Sequence, residues 1–77
     1  MAGFAIQYNK RTQDRLIEVF EGENGHRAAM RRRLELEKQG LGEDWEIVSL
    51  NADSIASIRR SHSRYFHGRD ISPAHAS

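Results

Sequence analysis

The sequence predicts an α+β domain of element order ββαβα, in which a three-stranded antiparallel sheet carries two helices on one face. Apolar and polar residues alternate over residues 4–8, which is the pattern of a half-buried strand. A short polar segment separates this run from a second β-rich run at 15–20, so we expect the two to form a hairpin. Two helical patterns, at 26–39 and about 54–66, flank a third strand at 45–50.

The first helix is predicted from its good helix formers, with Asn24 as the N-cap and Gly40 in the left-handed position after its last turn. Because apolar residues recur at helical spacing, one side of this helix is expected to face the core. The expected stripe consists of Met30, Leu34 and Leu41, widened by Ala29 and Leu36.

The second helix is expected to start at Asp53 or Asn51 as its cap and to stop at Gly68. Its apolar side consists of Ile55, Ile58, His62, Tyr65 and Phe66. No acidic residue occurs between Asp53 and Asp70, so this helix is also the segment whose charge is most one-sided.

We expect one domain over residues 1–68 and a flexible tail over 69–77. With strand one in the middle, the arrangement is half of a ferredoxin-like unit with a terminal helix added, a comparison of architecture only. A chain of 77 residues without cysteine has a marginal core and no disulfide to stabilise it. Because two sheet edges are open in this arrangement, we expect a symmetric homodimer formed by sheet-edge pairing.

The chain has no apolar run long enough to cross a membrane and no basic segment before a hydrophobic one at its start. We therefore expect no membrane partner. The absence of cysteine is compatible with a reducing compartment, and the predicted location is the cytoplasm.

The net charge of +1 conceals an asymmetry. Residues 1–58 contain eight Lys or Arg and ten acids, whereas residues 59–77 contain four Arg and the single acid Asp70. An anionic partner would therefore meet the C-terminal third of the chain. The structural alternative is that these cations offset the dipole at the end of a helix.

Arginine suits phosphate and nucleic-acid recognition because its planar guanidinium can donate two parallel hydrogen bonds. Tyr65 or Phe66 could stack on a base, although both also continue the apolar side of the helix. Arg31 and Arg33 each precede a glutamate by four residues, so that cluster can equally be a solvated, self-paired helix face. The candidate anion-binding residues are Arg59, Arg60, Arg64 and Arg69, with Arg31 and Arg32 joining them if the two helices lie side by side.

The second predicted strand carries apolar residues on both faces. With both helices on one face of the sheet, Leu16, Phe20 and Trp45 would lie on the open face and form a patch that binds a protein. Packing within the core or at the flank of the sheet is the alternative for Trp45.

Catalytic and metal-binding patterns are missing from the sequence. It has no Gly-x-Ser-x-Gly, phosphate-binding glycine loop or cysteine nucleophile, and its four histidines do not have zinc-ligand spacing. We therefore predict no enzymatic activity, no cofactor and no metal. The expected function is that of a small binding domain, a protein-binding regulator or inhibitor, and the alternative is nucleic-acid or polyanion binding through the arginines.

Overall fold

The structure is a computed structural model and describes residues 2–72. The predicted α+β class and the ββαβα order are confirmed. The elements are β1 (Ala2–Asn9), β2 (Arg15–Phe20), α1 (Gly25–Lys38), β3 (Trp45–Ala52), α2 (Ile55–Ser61) and a short 3₁₀ helix (Ser63–Phe66).

The sheet has the strand order β2-β1-β3, and both pairings are antiparallel. Strand β1 therefore lies in the middle, as the sequence predicted. Ile6 stands opposite Ile17 of β2 and opposite Val48 of β3, which fixes the register on both sides. The β1–β2 turn is held by Asn9, whose Oδ1 accepts from the backbone N–H groups of Arg11 and Thr12 at 2.9 Å.

The two faces of β1 carry side chains of different size. Phe4, Ile6 and Tyr8 point to one face, here called the large face, and Gly3 and Ala5 point to the other, the small face. All five residues are buried, and Ala5 and Ile6 have relative exposures of 1% and 0%. The central strand is therefore covered on both faces.

Helix α2 and the 3₁₀ helix cover the large face. Ile58 forms the apolar core with Phe4, Ile6 and Ile17, and Phe66 packs against that cluster. The Tyr65 ring meets the Tyr8 ring edge to face, with 5.2 Å between their centroids.

Helix α1 covers the small face. Gly25 at its start lies so close to Gly3 that a Cβ on Gly3 would overlap the Gly25 carbonyl oxygen. Arg32 reaches from α1 to Glu18 of β2, which shares the small face with Ala5. The helices thus lie on opposite faces of the sheet, whereas the sequence led us to expect both on one face. The small residues of β1 make the difference, since they open a trough into which a helix fits.

The core stripe predicted for α1 is wrong in its main members. Ala29 and Leu36 are buried, with exposures of 0% and 2%, whereas Met30 and Leu34 are exposed at 40% and 50%. A helix that approaches glycine and alanine closely packs its own small residues there. The longer side chains of Met30 and Leu34 are left on the outer side of α1.

The second helix is shorter than predicted and has a different cap. Ser54 begins it by accepting a hydrogen bond from the Ser57 N–H at 3.3 Å, in place of the expected Asp53 or Asn51. Helix α2 ends at Ser61, and His62 leaves the helical region with φ of −130° before the chain tightens into the 3₁₀ helix. The hydroxyl of Ser61 donates to the Ser57 carbonyl at 3.0 Å, a bond that competes with helix continuation.

Residues 69–72, which we predicted to begin a flexible tail, run beside β2. The N–H of Arg15 donates to the Arg69 carbonyl at 2.9 Å, and the N–H of Ile71 donates to the Arg15 carbonyl at 2.8 Å. The Ile17 N–H donates to the Ser72 hydroxyl at 2.8 Å. The outer edge of β2 is thereby partly covered. The rest of the predicted tail, 73–77, lies outside the described residues.

We predict that Gly3→Ala destabilises the fold by about 2 kcal/mol, because the added methyl group separates β1 from the start of α1. The midpoint of thermal unfolding should fall by roughly 10 °C for a domain of this size. Gly40→Ala is the control, since its φ of +64° costs about 1 kcal/mol while nothing lies within 4 Å of the new Cβ. Equal losses in the two variants would contradict the close α1–β1 approach.

Candidate functional site

Strand β3 forms an edge of the sheet that no other described strand covers. The N–H of Lys10 donates to the Asp44 carbonyl at 2.7 Å, which sets the phase of the antiparallel ladder. Hydrogen-bonded pairs alternate along such a ladder, so the backbone groups of Val48 and Leu50 point towards β1. The backbone groups of Ile47 and Ser49 therefore point outwards, at the open edge.

Exposed apolar side chains of α1 lie on its outer side, away from the sheet. Arg32 reaches towards β2. Successive residues of a helix are 100° apart, so Met30 and Leu34 each project about 160° away from Arg32 around the helix axis. They are four residues apart and so form one patch on the outer side of α1. We call β3's outer edge together with Met30 and Leu34 the edge surface.

The three residues predicted to bind a protein lie on the small face. Leu16 and Phe20 stand opposite Gln7 and Gly3 in the ladder, and Trp45 stands opposite Asn9. All three are half-buried beside α1. The open face that this prediction assumed is covered by α1, which contacts all three strands. Whether their remaining exposed parts bind a protein stays a prediction.

Two of the predicted anion-binding arginines donate hydrogen bonds to carboxylates. Arg32 Nε donates to Glu18 Oε1 at 2.9 Å, and Arg64 Nη2 donates to Glu46 Oε2 at 2.7 Å. An arginine held by a carboxylate must lose that contact before it binds a phosphate. Arg32 and Arg64 are therefore the weaker candidates.

The remaining predicted arginines do not form one surface. Arg31 lies with Arg27 at the start of α1, whereas Arg59 and Arg60 lie at the end of α2 on the other face of the sheet. Arg69 Nε lies 3.8 Å from Asp14 Oδ1 at the β1–β2 turn. The two basic clusters of the sequence thus remain separate.

Tyr65 is a buried hydrogen-bonding residue rather than an exposed ring. Its hydroxyl donates to Glu46 Oε2 at 2.8 Å, and Arg64 Nη2 donates to that hydroxyl at 3.0 Å. Burial, together with the neighbouring Glu46 carboxylate, raises the pKa of Tyr65 above its ordinary value, and Arg64 opposes the shift. At 4% exposure this ring is not available to stack on a base.

A pocket on the large-face side gathers cationic and aromatic groups. Its volume is about 460 Å³, and it is lined by Arg15, Arg59, Ser63, Phe66 and His67. The guanidinium carbons of Arg15 and Arg59 lie 4.8 and 5.2 Å from the centroid of the Phe66 ring. Both are within cation–π range, and they are therefore within about 10 Å of each other. We call this the arginine pocket.

The sequence predicted Arg59 as an anion-binding residue but did not indicate Arg15. Arg15 begins β2, where a charged residue at the start of an amphipathic strand is ordinary. Its position on the large face follows from the alternation with Ile17, which the sequence does show. Its closeness to Phe66 depends on the turn at His62, which no sequence pattern predicted.

A larger depression lies at the other end of the sheet. It has a volume of about 590 Å³ and is lined by Ala2, Glu21, Gly22, Glu23, His26, Asn51 and Asp53. Within residues 2–72, no group of three or more His, Asp or Glu side chains is placed to hold a metal ion. No helix in the described part of the chain is long and apolar enough to cross a membrane.

Comparison with known proteins gives no information about the function of these two surfaces. No family model, curated protein or solved structure matches the chain. Its function therefore has to be inferred from the edge surface and the arginine pocket.

We predict that the stability of the fold falls as the pH rises above about 10, the ordinary pKa of tyrosine. The folded state holds the Tyr65 proton more tightly than the unfolded state, so this stabilisation is complete below the unfolded pKa and is lost as the pH passes the raised folded pKa. Thermal unfolding of wild type and Tyr65→Phe between pH 8 and about 11 measures the difference.

The Tyr65→Phe curve should be flatter than that of wild type in this range, and Tyr8→Phe is the control because Tyr8 is also buried. An identical decline in wild type and Tyr65→Phe would show that Tyr65 is not the group responsible.

Proposed function

We propose that this chain is a small non-enzymatic protein-binding domain that acts by strand addition at the edge surface. The open β3 edge is the observation that carries the proposal. The outward N–H and C=O groups of Ile47 and Ser49 are placed to bond a further strand, and such edges pair readily. Residues 69–72 blunt the edge of β2, so the two edges are not equivalent.

The exposed patch on α1 adds the apolar contact that strand pairing lacks. A backbone hydrogen bond contributes about 0.5–1.5 kcal/mol net, and association costs at least about 4 kcal/mol in lost freedom. Strand pairing through a few residues is therefore marginal by itself. Burial of Met30 and Leu34 against a partner would supply the remaining binding free energy.

The partner that fits the edge surface most simply is a second copy of the chain. A two-fold axis at Val48 would place Ile47 opposite Ser49 of the partner subunit, and Ser49 opposite the partner's Ile47. All these residues have outward backbone groups, so each pair can exchange two hydrogen bonds. The two copies of α1 would then lie on the same side of a six-stranded sheet.

A domain of this kind can regulate or inhibit a larger protein by occupying an exposed strand edge on it. The homodimer would then be a resting form, in which the second copy is displaced by a partner that binds the β3 edge more tightly. The chain has no cysteine, which suits the reducing conditions of the cytoplasm, where we place this function.

We predict that sedimentation at tens of micromolar shows a dimer, and that Ser49→Pro makes it monomeric. Proline removes the outward N–H of β3 and leaves the ladder with β1 intact, because that ladder uses the neighbouring residues. Leu34→Glu should weaken the dimer about 10-fold or more, since it places a charge in the apolar patch.

The matched control is Ile55→Glu, an equally polar change at an exposed apolar residue of α2. It should leave the dimer unchanged. A wild-type protein that stays monomeric throughout this range would overturn self-pairing. Pull-down of the same proteins by wild type and Ser49→Pro would overturn binding through the edge.

Polyanion binding through the C-terminal arginines is the second proposal. The placement of Arg15 beside Arg59 favours it, because it adds a cation that the sequence pattern did not include. The separation of the α1 and α2 arginines reduces the surface available to a long polymer, so protein binding stays the first proposal.

A further inference from the structure

We infer that the arginine pocket binds the phosphate group of a phosphomonoester, which is a ligand class separate from the protein partner of the edge surface. The pocket combines two guanidinium groups, a serine hydroxyl and a histidine around one aromatic ring. These are donor groups that recognise phosphate oxygens, and they converge on a concave site rather than on an exposed helix face.

Neither arginine of the pocket has a carboxylate partner among the described residues. None of the five residues that line the pocket is acidic. By contrast, Arg32 and Arg64 hold carboxylates at 2.9 and 2.7 Å. Two cations within about 10 Å of each other repel, and a bound anion would relieve that repulsion.

The fold holds Arg15 in place while leaving donor groups unused. Its Nη1 donates to the Gly68 carbonyl at 2.9 Å, and its backbone is bonded to Arg69 and Ile71. Its buried Nε has no hydrogen-bond partner among residues 2–72. Contact with Phe66 restricts the side chains of Arg15 and Arg59, so less side-chain freedom is lost when a ligand binds.

The charge and shape of the pocket favour a terminal phosphate over the backbone of a nucleic acid. A phosphomonoester carries a charge of about −1.5 to −2 at pH 7, which matches two guanidinium groups. Phe66 is half-buried and already contacts both arginines, so its ring is less available to a base. A single concave site also admits the end of a molecule more easily than the middle of a polymer.

The test is a titration of the full chain, followed by backbone amide shifts in NMR at constant ionic strength. The probes are inorganic phosphate, a 5′-phosphorylated trinucleotide and the same trinucleotide without its phosphate. Phosphate and the phosphorylated trinucleotide should shift the amides of residues 63 and 66–68, whereas the unphosphorylated trinucleotide should not. Equal shifts by both trinucleotides would overturn the phosphomonoester assignment in favour of general polyanion binding.

Arg59→Gln should weaken phosphate binding about 10-fold or more, because a charge-assisted hydrogen bond is lost. Arg27→Gln is the matched control, since this exposed arginine of α1 lies on the other face of the sheet and does not line the pocket, and it should change the affinity less than about 2-fold. Equal effects of the two substitutions, or no shift at tens of millimolar phosphate, would overturn the site. Neither result bears on the edge surface, which is tested by sedimentation.

Discussion

Helix α1 lies very close to β1 at Gly3, and this contact determines how the rest of the chain packs. Gly3 and Gly25 meet without side chains between them, and Ala5 continues the small face along β1. This approach lets a single helix cover one side of a three-stranded sheet. Phe4 and Ile6 then lie on the other side of the sheet, where Ile58 completes the core. A short chain can thus bury its central strand on both faces, but neither face then has a large core.

Both candidate sites follow from this two-sided arrangement. With a helix on each face, the arginines of α1 and α2 are kept apart, and no broad basic surface forms. Leu16 and Phe20 are half-buried on the face that α1 covers and do not form an exposed patch. The fold leaves two surfaces available: the outer edge of β3 and the pocket where Arg15 and Arg59 contact Phe66. The first suits a strand of another protein, and the second suits a small anion.

The order of the elements could be predicted because strand alternation and helix periodicity are local signals. Their packing could not, since Met30 and Leu34 are large apolar residues that a helical wheel places in the core, whereas both are exposed. The small residues of β1 were visible in the sequence, but size mattered more than hydrophobicity here. The arginine pocket lay beyond prediction for another reason. It depends on the turn at His62, where local hydrogen bonds end α2 a turn earlier than its apolar pattern suggests.

Hydrogen exchange along β3 tests the account most directly, because the edge surface depends on which backbone groups are free. In dilute protein, the amides of Val48 and Leu50 should exchange slowly, and those of Ile47 and Ser49 should exchange quickly. At concentrations where dimers form, the second pair should become protected as well. Four equally protected amides in dilute, monomeric protein would contradict the account, since β3 would then be covered on its outer side within the chain itself.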